Sequence, residues 1–351
     1  MRPWRQAGGT MVRIGRRGMG GFLAAGLAAA RGSGGATPAA AQTAAPATPQ
    51  AADWPQRPVT IISPFAAGGQ SDPIGRAVAL HLQRSLGQPF VLENRSGAGG
   101  TIGAQFVARA AADGHTLLFG TTSSFVIAPF VYREAGYDPA ASFAPVAVVS
   151  EGPMILTASP GTGFRSVAEV VAAARRTPGE VTYASAGNGS LPHLLGELLA
   201  RSTGTRLTHV PYRGGAPAMN DLIGGQVDLF FEAVANVAPH VEGGRVVALM
   251  GTGQERTPLL PQVPTAGELE LAALTLTSWT GLAAPAGTPA AIVERLNAAT
   301  NEALRLPAVR ALLERSGIRG VGGNPAAMAA RIGRESGIYR GVIAEARIAV
   351  E

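Results

Sequence analysis

The chain has 351 residues, a length that suits about two domains, and its lack of cysteine excludes disulfide bonds and cysteine-based metal sites. The formal charge is +6, but residues 1–35 carry six arginines and no acidic residue, and the remaining chain holds 23 basic and 23 acidic residues. A body without excess positive charge lacks the phosphate-neutralising surface that nucleic-acid binding requires, so we expect no nucleic-acid partner.

The N-terminal segment has the pattern of an export signal. Its arginines precede residues 18–30, an apolar run of 13 residues that is too short to span a bilayer but suits the hydrophobic region of a signal peptide. Small residues at 39–41 offer a cleavage site. We therefore expect residues 1–41 to be a cleavable export signal and the Ala- and Pro-rich residues 42–53 to be a disordered linker.

The export route of the N-terminal segment stays open at the level of the sequence. The pair Arg16-Arg17 precedes the apolar run and is compatible with twin-arginine export as well as with the general secretory route. The arginine pair is weak evidence for the twin-arginine route, because the sequence contains no lysine and every basic side chain other than histidine is therefore an arginine. The alternatives to export are an uncleaved anchor and a misassigned start codon.

After Trp54, short apolar runs alternate with segments of helical periodicity. The first group comprises predicted strands 59–63, 90–93 and 116–120 and predicted helices 73–86 and 101–111. The second group comprises predicted helices 167–176, 191–202 and 216–223 and predicted strands 181–185, 208–211, 227–231 and 246–251. This alternation predicts an α/β fold with two mostly parallel sheets, each flanked by helices.

Two strand-like segments, residues 143–159 and 277–285, connect the groups, and three further helices are predicted at 288–304, 307–315 and 326–345. A chain that passes from one group to the other and back gives two lobes around a hinge. We assign residues 54–155 and 276–351 to lobe 1 and residues 156–275 to lobe 2.

The glycine-containing loop at residues 64–72 follows the first predicted strand and precedes a helix. Asp72 suits the N-cap and Pro73 the first helical position, while Gly68 and Gly69 allow a ligand to approach the backbone. A helix N-terminus with unpaired N–H groups attracts anions. The alternative interpretation is a plain turn whose glycines only satisfy tight geometry.

A second loop, residues 185–190, has the same arrangement in the other lobe, and residues 121–124 add four hydroxyl groups after the third strand. In open α/β sheets, ligands bind beyond the carboxyl ends of the strands. The two loops would therefore face each other across a cleft. Many neutral donors without a buried cation suit a small carboxylate.

Other chemistries lack their motifs. Residues 97–103 resemble a dinucleotide fingerprint, but Ile102 occupies the third glycine position. The chain has no phosphate-binding P-loop and no nucleophile elbow, and its five histidines are not paired at metal-ligand spacing. We expect no cofactor and no metal. His193 follows the second loop, where it either reaches the cleft or packs on its helix.

From about Trp54 to the C-terminus, the sequence resembles the Bug-type substrate-binding proteins of tripartite tricarboxylate transporters. The resemblance rests on the order and number of separate short motifs, each of which is weak alone. They include WP at 54–55, ENR at 93–95, ADGHTLL at 112–118, YDP at 137–139, VPYRG at 210–214, GGQVD at 224–228, VPT at 263–265 and APAGTP at 284–289.

The resemblance implies a two-lobed, type II-like periplasmic binding protein that closes on a small carboxylate, with no catalytic residues. It implies a monomeric receptor in the periplasm, with transporter permease subunits as further partners. The two loops would hold the ligand mainly through backbone amides, hydroxyls and water. The predicted ligand-binding residues are Phe65, Ala67, Gly68, Gly69, Asp72, Thr121, Ser123, Ala186, Gly187, Asn188, Gly189, Ser190, His193 and Glu232.

Three alternatives stay open at the level of the sequence. The first alternative is a receptor that passes its ligand signal to a two-component sensor instead of a transporter. The second is an enzyme on a similar scaffold, although the motifs for catalysis are missing. Glu232 follows a predicted strand, 228–231, and either faces the cleft or is a solvated loop residue. In the cleft it would repel a carboxylate and favour an amine or ordered water.

Overall fold

The computed structural model describes residues 53–69, 71–346 and 348. The predicted export signal and residues 42–52 of the predicted linker lie outside this range. The strands are β1 (Val59–Ser63), β2 (Phe90–Asn94), β3 (Thr116–Thr121), β4 (Phe143–Ala158), β5 (Thr182–Ser185), β6 (Thr208–Pro211), β7 (Leu229–Ala233), β8 (Val247–Gly251), β9 (Thr277–Pro285) and β10 (Arg319–Gly322). The helices are α1 (Ser71–Leu86), α2 (Thr101–Ala108), α3 (Ala128–Val131), α4 (Val167–Arg176), α5 (Leu191–Thr203), α6 (Gly215–Ile223), α7 (Val234–Glu242), α8 (Ala290–Arg305), α9 (Pro307–Arg315) and α10 (Pro325–Ala346).

The strands form one continuous mixed sheet in the order β2-β1-β3-β9-β4-β7-β5-β6, and β8 and β10 also pair with β4. β1 is parallel to β2 and β3, and β5 is parallel to β6 and β7. We call the part built on β1–β3 the first lobe and the part built on β5–β7 the second lobe. The predicted α/β class is confirmed, but the two predicted mostly parallel sheets are joined into one mixed sheet by the antiparallel strands β4 and β9.

The two predicted crossing segments are the long strands β4 and β9. β4 pairs antiparallel with β9 from Phe143 to Pro153, and then with β7 from Met154 to Ala158. β9 pairs antiparallel with β3 on its other side. One strand therefore runs through both lobes. Apolar periodicity identified these strands but carries no information on direction, so their antiparallel pairing was not predicted.

Apolar spacing explains why the helices pack on the sheet. α1 buries Ile74, Val78 and Leu82, which lie on one face and pack with β1 residues such as Ile61 in the first lobe. Burial of each side chain of this size stabilises the fold by about 1.5–3 kcal/mol relative to leaving it exposed. In the part of the chain that the structure describes, no helix has the length and apolarity needed to cross a membrane.

Several element boundaries differ from the prediction. α1 begins at Ser71, so Asp72 lies inside its first turn and the predicted N-cap role of Asp72 is wrong. β7 extends to Ala233 and includes Glu232. α7 and β10 were not predicted. Pro239 inside α7 interrupts the helical pattern, and β10 is a short, glycine-containing strand with mostly exposed residues.

Candidate ligand-binding site

A cleft of about 570 Å³ lies where strands of both lobes end. The first lobe contributes the loop after β1 and the segment after β3, and the second lobe contributes the loop after β5, the start of α6 and the end of β7. The loops after β1 and β5 thus line one cleft from opposite lobes, as the sequence predicted. Nine of the predicted residues line the cleft: Phe65, Ala67, Gly68, Gly69, Thr121, Ser123, Ala186, Ser190 and Glu232.

The other five predicted residues lie behind the cleft wall. Asp72 supports the loop that follows β1. Its carboxylate accepts hydrogen bonds from Arg76 Nε at 2.9 Å, from Asn94 Nδ2 at 3.1 Å and from the N–H of Gly68. Asn94 also donates to the carbonyl of Phe65 at 2.9 Å. Asp72 therefore fixes the loop, and it occupies the Gly68 N–H, which we had expected to bind the ligand.

The same contacts explain the ionisation of Asp72. Burial alone would raise the pKa of this carboxyl, but the hydrogen bonds from Arg76 and Asn94 and the Arg76 charge bring the pKa below its ordinary value of 3.8. Asp72 is thus an anion held by a cation and two neutral donors. A second anion at this point would meet its repulsion, so the residue is suited to loop support.

Hydroxyl groups after β3 face the cleft from the first lobe. The residue Thr121 lines the cleft, but its Oγ1 is sealed from solvent in this structure and has no hydrogen-bond partner among the described residues. Ser123 Oγ accepts the backbone N–H of Leu191 at 3.0 Å, which leaves the hydroxyl proton of Ser123 free to donate. Ser123–Ile127 forms one π-helical turn, a geometry that occurs frequently at functional sites.

The second-lobe loop satisfies most of its own backbone groups. The N–H of Gly187 donates to Ser185 Oγ at 3.1 Å, and the N–H of Gly189 donates to His193 Nδ1 at 3.3 Å. Ser190 donates to the carbonyl of Gly187 through both its backbone N–H and its hydroxyl. The prediction that Gly187 and Gly189 offer their amides to a ligand does not fit this arrangement, because these donors are already used.

This loop also touches the first lobe. The carbonyl of Asn188 accepts a hydrogen bond from Tyr132 Oη at 2.9 Å, just beyond α3. Gly189 has a φ of +69°, and a Cβ at this position would lie 3.0 Å from the Tyr132 ring. Glycine is therefore needed both for the left-handed backbone and for the close approach of the two lobes.

His193 packs behind the loop instead of lining the cleft. Its ring stacks on that of His209, with 3.9 Å between the ring centroids, and His209 Nε2 lies 2.7 Å from Ser185 Oγ. Burial lowers the pKa of His193 to about 4. Burial, and then the charge that His193 would carry, lowers the pKa of His209 to about 3. Both imidazoles are neutral near pH 7, so this pair is a scaffold for the loop.

The start of α6 is part of the cleft that sequence reasoning missed. Gly214 precedes the helix at a φ of 119°, and Gly215 and Ala216 line the cleft. Their N–H groups make no hydrogen bond with another described residue outside the helix. Arg213, an exposed cation, lines the same wall. The signal was available, because β6 is followed by a glycine pair and a helix as β1 and β5 are.

Glu232 is buried in the cleft wall, so its interpretation as a solvated loop residue is wrong. The side chain is part of β7 and only 9% exposed. Oε1 accepts the N–H of Ala233 at 2.7 Å and the Asn236 Nδ2 at 3.4 Å. Burial raises the pKa of this carboxyl despite both hydrogen bonds. Its place in a strand was missed because the predicted strand ended at residue 231, two residues before the end of β7.

The chemistry of the cleft is that of binding by polar and electrostatic contacts. Its wall combines hydroxyls, open backbone N–H groups at the start of α6 and one arginine. Among residues 53–69 and 71–346, no group of three or more histidine, aspartate or glutamate side chains is placed to hold a metal ion.

Comparison with known proteins identifies relatives over most of the chain. The family model described as "Tripartite tricarboxylate transporter family receptor" matches residues 74–346. Rhodopseudomonas palustris Rpa4515, in a structure with adipate, is 37% identical, with a TM-score of 0.79 over 85% of this chain and 99% of that one.

Two further solved structures show the same relationship. MatC from Rhodopseudomonas palustris, with bound malate, is 35% identical, with a TM-score of 0.78 over 83% of this chain and 100% of its own. The periplasmic binding protein BugD is 34% identical, with a TM-score of 0.79 over 85% of this chain and 100% of its own.

Proposed function

The chain belongs to the tripartite tricarboxylate transporter receptor family, and from this premise we propose that it is a periplasmic receptor that binds one small carboxylate by closure of its two lobes and delivers it to a transporter of this type. The observation that carries the proposal is the cleft, which is lined by polar groups of both lobes. Relatives with adipate and with malate support a carboxylate as the ligand class.

In this proposal the carboxylate is held from both sides. Thr121 and Ser123 donate hydroxyl protons from the first lobe, and the N–H groups of Gly215 and Ala216 donate from the second. The partial positive charge at the start of α6 and the nearby Arg213 favour an anion. Phe65 and Ala67 form the apolar part of the wall.

Binding selects the closed arrangement, because only that arrangement lets both lobes touch the ligand. Residues 54–155 with 276–351 would move against residues 156–275, with β4 and β9 as the connection between them. The chain would act as a receptor and catalyse no reaction on its ligand. Its export by the N-terminal segment belongs to the same proposal.

A thermal-shift screen of the purified protein tests the ligand class. We expect aliphatic mono-, di- or tricarboxylates to raise the melting temperature, because a ligand that binds only the folded state stabilises it. The matched control is the diamide of each dicarboxylate, which has the same length and no charge. A protein whose melting temperature responds to no carboxylate, or equally to the diamides, would contradict the proposal.

Delivery to a transporter needs its own measurement. We expect uptake of the radiolabelled ligand into cells that carry the membrane subunits of the transporter to depend on this receptor. A cell that takes up the ligand at the same rate without the receptor would contradict delivery while leaving ligand binding intact. Turnover of the bound ligand during incubation would contradict the receptor function itself.

A further inference from the structure

Glu232 places a carboxyl group in the wall of a cleft that is proposed to bind an anion. Its side chain lies at the end of β7, next to the first residues of both α6 and α7. It is 9% exposed and lines the cleft. When ionised, this acid would weaken the binding of a ligand carboxylate held at the start of α6, unless the ligand also supplies a hydrogen-bond donor to it.

The two carboxylate oxygens have different surroundings. Oε1 accepts hydrogen bonds from the N–H of Ala233 and the side chain of Asn236. Oε2 makes no hydrogen bond with any described residue, yet it is not among the polar atoms sealed from solvent. It therefore opens onto the cleft. No arginine or histidine of the described chain lies within ion-pairing distance of Glu232.

Gly215 fixes where Oε2 can lie. A Cβ at residue 215 would be only 2.1 Å from Oε2, so the carboxylate in its present position lies directly against the backbone of Gly215. The carboxylate thus packs against the start of α6, and its other oxygen sits at the start of α7. The Ala233 N–H and the backbone at the start of α6 therefore hold this carboxyl group in one place at the end of the cleft.

On the basis of the carboxylate-binding function proposed above, we propose that Glu232 determines specificity: Oε2 accepts a hydrogen bond from a hydroxyl or ammonium group of the ligand. A buried acceptor without a donor costs free energy, and a ligand that supplies the donor removes this cost. An unsubstituted ligand leaves Oε2 unsatisfied, and a second carboxylate at this point is repelled. The receptor therefore selects hydroxy- or aminocarboxylates.

Calorimetric titration of the purified protein with matched ligands tests this selection. The set has an unsubstituted, a 2-hydroxy and a 2-amino member at each of two lengths: succinate, malate and aspartate, then glutarate, 2-hydroxyglutarate and glutamate. We expect a donor-bearing member to bind at least about tenfold more tightly than the unsubstituted member of its length. The order of the hydroxy and amino members identifies which donor Glu232 accepts.

The variant Glu232→Gln then assigns the preference to this side chain. Its amide keeps an acceptor for the N–H of Ala233 but turns an NH₂ group towards the cleft, so we expect the preference to be lost or inverted. The control Glu268→Gln alters a glutamate that also accepts a backbone N–H, that of Thr265 at 2.7 Å, but lies outside the cleft. We expect this control to keep the preference.

The outcomes separate this inference from the function on which it rests. If the wild-type protein binds all three members of each set equally, or prefers the unsubstituted ones, the inference fails while carboxylate binding stands. If Glu232→Gln keeps the donor preference, Glu232 is a structural residue only. If no carboxylate binds, the proposed function fails as well. The comparison of ligands on the wild-type protein tests the donor preference even if the Glu232→Gln variant does not fold.

Discussion

The backbone N–H of Leu191 donates a hydrogen bond to Ser123 Oγ at 3.0 Å, and this bond joins the first turn of α5 in the second lobe to the segment after β3 in the first. Both residues line the cleft and both are buried. Opening of the lobes would break this bond and expose a helix N-terminus. In the proposed function, Ser123 would therefore connect ligand binding to lobe closure.

Replacing Ser123 by alanine should weaken ligand binding. The change removes the acceptor of the Leu191 N–H and a donor in the cleft, and a lost hydrogen bond of this kind costs about 1–2 kcal/mol, or roughly 5- to 30-fold in affinity. Calorimetry with the best ligand of the thermal-shift screen measures the loss. The control Ser316→Ala removes a hydroxyl that donates to the Leu312 carbonyl outside the cleft. Equal affinities for both variants would rule out this role.

Asp72→Asn should loosen the loop that follows β1. The amide loses the ion pair with Arg76 and cannot accept all the hydrogen bonds of the carboxylate, so we expect the free energy of unfolding to fall by about 1–3 kcal/mol. Ligand affinity should fall too, because Gly68 and Phe65 lose their anchor. Urea denaturation measures the stability change.

The control for Asp72 is Glu93→Gln, which removes an exposed ion pair with Arg95. Exposed pairs of this kind contribute about 0–1 kcal/mol. A destabilisation of Asp72→Asn no larger than that of Glu93→Gln would show that the Asp72 contacts do not hold the loop.

Gly189→Ala should reduce affinity through lobe contact as well as through strain. Its Cβ would meet the Tyr132 ring at 3.0 Å, so we expect the contact between Tyr132 and the loop to shift. Gly204, at the end of α5, is the matched control, because its φ is also positive but a Cβ there meets nothing within 4 Å. Each variant pays a similar cost for a left-handed alanine, about 1 kcal/mol. We expect only Gly189→Ala to weaken binding, and equal affinities would contradict this account of closure.

The stacked histidines make stability depend on pH. The pKa of His193 is about 4 in the folded protein against an ordinary value of 6.5, so the unfolded chain binds more protons between these values. The stabilising contribution is fully present above pH 6.5 and is lost as the pH falls towards 4. His209, with a pKa of about 3, extends the loss to lower pH.

Urea denaturation between pH 7 and pH 4 measures this dependence. His193→Asn retains an acceptor for the Gly189 N–H but does not titrate, so its free energy of unfolding should fall less steeply with falling pH than that of the wild type. Because the shift comes from burial, the difference should persist at ~0.5 M salt, which screens surface charges. Identical slopes for the two proteins would show that His193 is not buried in its neutral form.

Hydrophobic periodicity was enough to predict the α/β fold, the crossing strands β4 and β9, and the loops after β1 and β5. These features depend on local spacing and on the rule that ligands bind beyond strand ends. The start of α6 follows the same rule, but it was not predicted as part of the site because the loop before it contains no serine or asparagine. Glu232 was predicted to follow its strand because the predicted end of that strand, residue 231, was too early.

The use of hydrogen-bond donors inside the site was not predictable from the sequence. Whether the N–H of Gly189 is free depends on His193, which is four residues away, and the Leu191 N–H depends on Ser123, 68 residues away. The acceptor of the Gly68 N–H is Asp72, which the sequence assigned to a helix cap. Such partners follow from tertiary packing, so a list of donors in a loop does not show which of them a ligand can use.

A crystal structure of the protein with its best-binding carboxylate tests the central claim most directly. The account predicts that one carboxylate group is held between Thr121 and Ser123 on one side and the first residues of α6 on the other. Density for the ligand outside this cleft, or contacts from a single lobe only, would contradict it.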